Sequence, residues 1–311
     1  MYNIKKITSD TMKEFSQKIE YGKNNFIPML PFIKMPFHDF DRYNSYNDKG
    51  LFLIDYLDEG YCLYHLYHLI QADNTLRATL ILPSSWDKRF DLIEKSISNI
   101  KEWFITEDTS EKFIIQSLEY GEIEYYPTLS QYLIPTIIRN GFEPKYRMYM
   151  KRQADLPVSE VSNLKEGLEL VNYSDDILED IVYFYYKNES IKNLKYFTNC
   201  TYDEFLEMLK QDFTINNAKF IKTTNGSIIA GIIPSLDSEK VWIDNFTVHP
   251  DYDNNGVNEY ILGKTIKHLS KSSSEDNVYI YLNRDCQNAI SACEKNGFAP
   301  FEFWVDMILE R

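Results

Sequence analysis

The C-terminal half of the sequence contains residue types that can move protons and bind anions. Asp244 interrupts the apolar run WIDNFTV, and a carboxylate there can accept a proton from an amine, whose pKa is about 10.4. The turn at residues 253–258 has one glycine and precedes a helical pattern, and a helix N-terminus favours an anion. Cys286 and Cys293 follow, and a thiol can donate a proton. Each feature also has a plainer reading: a solvent-facing acid, a capped helix start and a small buried hydrophobe.

The surrounding sequence predicts strands and helices that would position these residues. LKEGLELVNY is strand-like, and SDDILEDIVYFYYKN begins with Ser and acidic residues before apolar residues at helical spacing. Asn225-Gly226 between two β-rich runs predicts a hairpin. A helix, the strand NVYIYLN, a short helix and a final strand follow the turn at 253–258. The predicted order from residue 165 onward is β-α-α-β-β-β-α-β-α-β.

A short phrase occurs once in each half of the chain. RNGFEP spans residues 139–144, and KNGFAP spans residues 295–300. Because the elements before each copy follow the same order, the repeat predicts two α/β domains of one design. We expect the first at residues 1–152, a linker at 153–164 and the second at 165–311.

The second half resembles the GNAT family of N-acetyltransferases over about residues 165–311. The resemblance rests on the order of elements, on the segment VHPDY at 248–252 and on EKNGF at 294–298. With the repeat, nearly the whole chain resembles tandem GNAT proteins in which one half keeps the cofactor site and the other degenerates. The implied fold is two GNAT-like domains, each with a mixed sheet and flanking helices.

The resemblance implies acetyl-CoA as co-substrate in the C-terminal half. Main-chain N–H groups of Phe246, Thr247 and Val248 would contact the thioester and the pantetheine arm. Asp244 would be the general base. The diphosphate would bind at the turn, which consists of Asp253, Asn254, Asn255, Gly256, Val257 and Asn258.

Several residues depart from the family pattern. Gly256 alone matches the defining positions of the phosphate turn, while Asp253 would repel a phosphate and Asn258 adds bulk. Cys286 replaces an Asn that contacts the pantetheine arm. Cys293 replaces the Tyr that protonates the leaving thiolate, so it is either a catalytic acid or a small buried residue.

The first half lacks the phosphate turn. Its segment SSWDKRFD at 84–91 has no glycine, so we predict that this half does not bind acetyl-CoA. Such a domain could complete a cleft, cover a sheet edge or hold substrate. Cys62, His65 and His68 lie on a predicted strand whose alternation prevents all three from converging, so no metal site is predicted.

Composition narrows the classes of partner. The sequence has 33 Lys and Arg against 47 Asp and Glu, for a formal charge of −14. Such a surface repels phosphate backbones and anionic lipid, so neither nucleic acid nor membrane is expected as a partner. We expect a cytoplasmic protein, because the N-terminus has no apolar signal core and the cysteines lack paired ligand spacing. Acidic composition mildly favours a cationic amine acceptor, either a small molecule or a peptide.

Two functional hypotheses follow from the sequence. The first is an acetyl-CoA-dependent N-acetyltransferase that uses the C-terminal half to acetylate a primary amine. The second is a tandem GNAT-fold binding or regulatory protein that has lost acetyl transfer, as the four departures at 253, 258, 286 and 293 suggest.

Overall fold

The structure, a computed structural model, forms two compact units. One consists of Met1–Tyr146 with Glu302–Arg311, and the other of Arg147–Phe301. The residues that the structure describes are 3–8, 27–28, 48–55, 61–68, 74–82, 90–120, 127–153, 156, 163–188, 202–237, 240–253, 256–272 and 277–311.

The described residues of the first unit form a mixed sheet and two helices. Its strands are β1 (Asn3–Lys6), β2 (Ile27–Pro28), β3 (Asp48–Asp55), β4 (Tyr61–Tyr67), β5 (Thr75–Leu82) and β6 (Lys112–Tyr120), and its helices are α1 (Phe90–Glu107) and α2 (Pro127–Arg139). The sheet order is β1-β3-β4-β5-β6, in which only the β5–β6 pair is parallel. β2 pairs with β5 outside this path.

The second unit repeats this pattern. Its strands are β7 (Glu143–Gln153), β8 (Leu168–Asn172), β9 (Lys219–Thr223), β10 (Ile228–Asp237), β11 (Lys240–Val248) and β12 (Asn277–Asn283). Its helices are α3 (Leu178–Val182), α4 (Tyr202–Leu209), α5 (Asp212–Asn217), α6 (Val257–Ser272) and α7 (Gln287–Lys295). The sheet order is β8-β9-β10-β11-β12, and the single parallel pair among these strands is β11–β12. The predicted fold class, two tandem α/β domains of one design, is confirmed.

The sheet of each unit includes one strand from the other half of the sequence. β7 pairs with β12 of the second unit, from Arg147↔Asn283 to Gln153↔Asn277. The last strand, β13 (Ala299–Glu310), pairs with β6 of the first unit from residue 303 onward. The expected boundaries at 152 and 165 divide the chain in sequence order and therefore do not include this exchange. Residues 147–152 of β7 alternate in burial, whereas residues 304–307 of β13 are all buried. Both strands follow the same Asn-Gly-Phe corner, so their order in the chain does not specify which sheet each strand joins.

The two copies of the repeated phrase form the same corner. Gly141 and Gly297 have φ angles of 88° and 84°, which glycine adopts without steric cost. The N–H of Phe142 donates to Ile137 O, and that of Phe298 donates to Cys293 O. This pattern is a Schellman helix end, and it confirms that the repeat marks one helix-to-strand turn used twice.

Some predicted elements differ in detail. The Asn225-Gly226 hairpin joins β9 to β10 as expected, with Gly226 at a φ of 90°. The single helix expected at SDDILEDIVYFYYKN is instead a 3₁₀ turn at Asp175–Ile177, then α3, then a π-helical turn at Tyr183–Lys187. α6 buries Val257, Ile261 and the other apolar residues of one face, which fixes its position on the sheet.

Candidate functional site

A cavity of about 260 Å³ lies in the second unit where β11 ends. Three segments line it: residues 246–248 of β11, residues 250, 253 and 258 around the start of α6, and residues 285–289 at the start of α7. The turn and strand predicted to bind a cofactor therefore meet in one cavity.

The cavity exists because β11 and β12 pair over only part of their length. The parallel register runs from Val241↔Val278 to Ile243↔Ile280, while β11 continues to Val248 beside β10. Beyond Ile243, the edge of β11 that faces away from β10 has no register partner on β12. Backbone groups on that edge are available to a ligand.

A β-bulge coincides with the point where the two strands part. The β10–β11 register shifts between Ile233 and Pro234, so Asp244 is the extra residue on β11. Proline cannot donate a ladder hydrogen bond, and a bulge is one of the few places where an inner strand tolerates it. Asp244 thus lies at the start of the unpaired edge, and its side chain lies outside the described residues.

Hydrogen-bond alternation identifies which amides of β11 face the cavity. The N–H of His249 donates to Ile229 O on β10, at 2.7 Å. Along an antiparallel strand, every second residue forms its backbone hydrogen bonds with the same neighbouring strand. Thr247, two residues before His249, therefore directs its N–H toward β10. Phe246 and Val248 direct theirs to the opposite side, where the cavity lies. Two of the three expected main-chain contacts are therefore oriented toward a ligand.

Thr247 carries a buried hydroxyl in the wall of the cavity. The residue is 3% exposed and lines the cavity, and its Oγ1 has no hydrogen-bond partner among the described residues. An unsatisfied buried hydroxyl costs roughly 1–3 kcal/mol. From the sequence, Thr247 was expected to act only through its backbone, because nothing in the sequence shows which face of the strand a hydroxyl occupies.

Asp253 is held by two asparagine side chains. Asn258 Nδ2 donates to its Oδ1 at 2.6 Å and to its main-chain O at 2.9 Å. Asn288 Nδ2 donates to its Oδ2 at 2.7 Å. Asn258 therefore directs both amide hydrogens to Asp253. Asn288 was not among the residues predicted from the sequence, although its position in the first turn of a predicted helix was a usable signal.

The turn before α6 is only partly described. Gly256 has a φ of 74°, a conformation that favours glycine at this helix start. Val257 is 1% exposed and anchors the first turn of α6 in the core. Asn254 and Asn255 lie outside the described residues, so their predicted contact with a diphosphate stays a prediction.

The two cysteines have different surroundings. Cys286 precedes α7, is partly exposed and lines the cavity. Cys293 is fully buried in the core and is not among the lining residues. Burial, and secondly the charge of Glu294, raise the pKa of the Cys293 thiol. The structure therefore does not bring Cys293 to the cavity, and its surroundings match the alternative of a small buried residue.

The cavity suits one part of acetyl-CoA and not another. The free edge of β11 and the Thr247 hydroxyl match the neutral, amide-bearing pantetheine arm. At the start of α6, where the diphosphate would bind, the carboxylate of Asp253 occupies the first turn. Phosphate and carboxylate repel each other, so the side chain of Asp253 opposes a diphosphate at this end.

The first unit offers no described counterpart of this site. Its glycine-free segment lies outside the described residues at 84–89, and α1 begins at Phe90. His65 is buried, and His68 Nδ1 lies 2.9 Å from Thr75 O. Within the described parts of the chain, no group of three or more His, Cys, Asp or Glu could hold a metal ion. Nor does any helix there combine the length and apolar character needed to cross a bilayer.

Comparison with solved structures identifies the fold. A GCN5-related N-acetyltransferase from Sphaerobacter thermophilus is 13% identical, covers 99% of this chain and 95% of its own, and has a TM-score of 0.61. A tandem GNAT protein from the clavulanic acid biosynthesis pathway is 11% identical and has a TM-score of 0.52. The match covers 100% of this chain and 98% of that protein. No protein-family model matches the sequence, and no curated protein is significantly similar to it.

A third similar structure extends the comparison. A GCN5-related glucosamine N-acetyltransferase region of a fungal multi-domain GH3 β-N-acetylglucosaminidase is 10% identical, with a TM-score of 0.56. The match covers 99% of this chain and 38% of the fungal one. At these identities the similarity establishes the fold, and the chain has the tandem GNAT fold along its length.

Proposed function

We propose that this tandem GNAT-fold chain is an N-acetyltransferase whose second unit transfers an acetyl group from acetyl-CoA to a primary amine. The observation that carries the proposal is the free edge of β11 beside the cavity. Phe246 and Val248 direct their N–H groups to that edge, and the cavity is continuous with the first turns of α6 and α7. A bound thioester supplies the activated acyl group.

The backbone of β11 would stabilise the charge that develops during transfer. When an amine attacks a carbonyl, its oxygen becomes anionic, and preorganised N–H donors stabilise that charge most effectively in a water-poor site. The amide groups of Phe246 and Val248 are fixed by the β10–β11 ladder, so they need no reorganisation at the moment of reaction.

Asp244 is our proposed general base. A primary amine with a pKa of about 10.4 is protonated at neutral pH and must lose a proton before it attacks. Asp244 lies at the bulge where β11 leaves β12, next to the amides that would hold the carbonyl oxygen. Cys286, on the opposite wall, would contact the pantetheine arm.

We further propose a cationic acceptor, consistent with the formal charge of −14. Long-range attraction raises the rate at which a positively charged amine encounters an acidic surface. The class includes polyamines, aminoglycosides and lysine side chains of peptides.

An assay of acetyl transfer to a panel of such amines tests the proposal. The free thiol released from acetyl-CoA is the quantity measured. Ala289→Trp fills the cavity from α7, and Glu294→Trp places the same side chain at an exposed position of that helix as the matched control. We expect turnover in the natural chain and in Glu294→Trp, and its loss in Ala289→Trp. No transfer to any amine by the folded natural chain would contradict the proposal.

One observation favours the second hypothesis, a binding protein without catalysis. The carboxylate of Asp253 is fixed where the family holds the diphosphate of its co-substrate. Saturable binding of the arm without transfer to any amine would support that role over catalysis.

A further inference from the structure

The cavity lining near the starts of α6 and α7 carries negative charge. Among the described residues that line the cavity, Asp253 and Asp285 are carboxylates, and none is Lys, Arg or His. A diphosphate at these helix starts would meet like charge without a side-chain cation to offset it.

Asp253 already supplies the anion that the helix starts favour. Its two carboxylate oxygens accept from Asn258 at 2.6 Å and from Asn288 at 2.7 Å. These asparagines are the second residues of α6 and α7, so the carboxylate lies against the first turns of two helices. The positive end of a helix dipole stabilises an anion within its first turn. An internal anion therefore takes the role that an external phosphate would otherwise have.

The wall formed by β11 contains neutral polar groups. Thr247 Oγ1 is buried in the cavity wall without a hydrogen-bond partner among the described residues. The N–H groups of Phe246 and Val248 face the same space. Hydroxyl and amide groups match the amides of a pantetheine-type arm, which is uncharged.

We propose that the cavity recognises the neutral arm of its thioester donor, and that Asp253 excludes a diphosphate from the start of α6. This inference rests on the proposed function and specifies its donor class, an acyl thioester on an amide-bearing arm whose recognition does not depend on phosphate. Asp253 is the specificity-determining residue, and Asn258 and Asn288 hold it in place.

Calorimetric titration with pantetheine and with coenzyme A, at low ionic strength and without divalent cations, tests this inference. In the natural chain we expect the two dissociation constants to agree within about threefold, because the diphosphate gains no favourable contact. In Asp253→Asn we expect coenzyme A to bind about tenfold more tightly, while pantetheine changes by less than about twofold.

Asp251→Asn is the matched control. Asp251 is two residues away and 82% exposed, so the substitution removes the same charge outside the cavity. An equal gain in coenzyme A affinity from Asp251→Asn would overturn the inference, as would at least tenfold tighter binding of coenzyme A than of pantetheine by the natural chain. The comparison of coenzyme A with pantetheine uses the natural chain alone. The inference can therefore be tested even if the Asp253→Asn protein folds poorly.

The outcomes also separate this inference from the proposed function. Comparable binding of both ligands without transfer to any amine would support the neutral-arm site and contradict catalysis. Transfer from acetyl-CoA together with a strong preference for coenzyme A over pantetheine would support catalysis and contradict the role of Asp253. Absence of binding by either ligand would overturn the neutral-arm site.

Discussion

The hydroxyl of Tyr185 lies over Gly231, in the space that a side chain at position 231 would occupy. Tyr185 belongs to the π-helical turn and is fully buried, and Gly231 lies on β10 directly opposite Thr247 of β11. The Phe220 ring also comes within 3.0 Å of the place where a Cβ would be. Glycine at 231 thus lets the π-helical segment pack close to the strand that supports the cavity.

We therefore predict that Gly231→Ala lowers the free energy of unfolding by about 1–3 kcal/mol, because the new methyl group overpacks the core. Urea denaturation measures the change. Adding Tyr185→Phe removes the clashing hydroxyl and should restore part of the loss, although the Phe220 contact remains. Unchanged stability of Gly231→Ala would contradict the packing seen here.

Thr247→Val should separate ligand binding from stability. Valine has the shape of threonine without the unsatisfied hydroxyl, so we expect equal or higher stability, by up to about 1–2 kcal/mol. Affinity for pantetheine should fall by roughly threefold to tenfold, the value of one hydrogen bond. Thermal melts and calorimetry provide the two measurements.

Thr265→Val is the control for that substitution. Thr265 is also fully buried, but its Oγ1 donates to Ile261 O within α6, at 2.9 Å. Thr265 is not among the residues that line the cavity. We expect this variant to leave affinity unchanged. If Thr247→Val also leaves affinity unchanged, the hydroxyl does not contact the ligand.

Cys293 should make the protein sensitive to alkaline pH. Burial raises the pKa of its thiol above the ordinary value of 9.0, so the folded state keeps a proton that the unfolded state loses. The resulting stability is fully present below about pH 9 and decreases as pH rises above it, by up to about 1.4 kcal/mol per pH unit.

Denaturant unfolding at pH 8, 9 and 10 measures this slope. Cys293→Ala should remove the part of the pH dependence that is due to this thiol. Cys286→Ala, on the cavity wall, should leave the pH dependence of the unfolding free energy unchanged. The pKa of the buried Tyr185 phenol is also raised by burial, and it contributes only above about pH 10. Equal slopes for the natural chain and Cys293→Ala would contradict the buried position of the thiol.

Asp244→Asn tests the proposed base. Because a positioned base contributes about 10²- to 10⁴-fold to rate, we expect kcat to fall by at least about 100-fold while donor affinity stays within twofold. Steady-state kinetics and calorimetry on the same preparation provide both values. Activity within threefold of the natural chain would show that another group or water accepts the proton.

The sequence predicted the elements that depend on local chemistry. The NGF corners, the Asn225-Gly226 hairpin and the strand NVYIYLN follow from glycine conformation and hydrophobic period. It did not predict the exchange of β7 and β13, because both strands follow the same corner and their order in the chain does not specify the sheet that each one joins.

The site was predicted only as far as the backbone determines it. The positions of residues 246–248 and of the start of α6 follow from strand and helix order, and both line the cavity, while their contact with a cofactor stays a prediction. The hydrogen bonds from Asn258 and Asn288 to Asp253, and the orientation of the Thr247 hydroxyl, depend on tertiary packing. The sequence left Cys293 open between a catalytic acid and a small buried residue, because its position in the family pattern says nothing about depth in the core.

Calorimetric titration of acetyl-CoA into the natural chain, Ala289→Trp and Glu294→Trp tests whether the cavity beside the free edge of β11 binds a thioester donor. We expect saturable binding to the natural chain and to Glu294→Trp, and its loss in Ala289→Trp. Binding that persists in a folded Ala289→Trp protein, or that is absent from the natural chain, would show that the cavity is not the donor site.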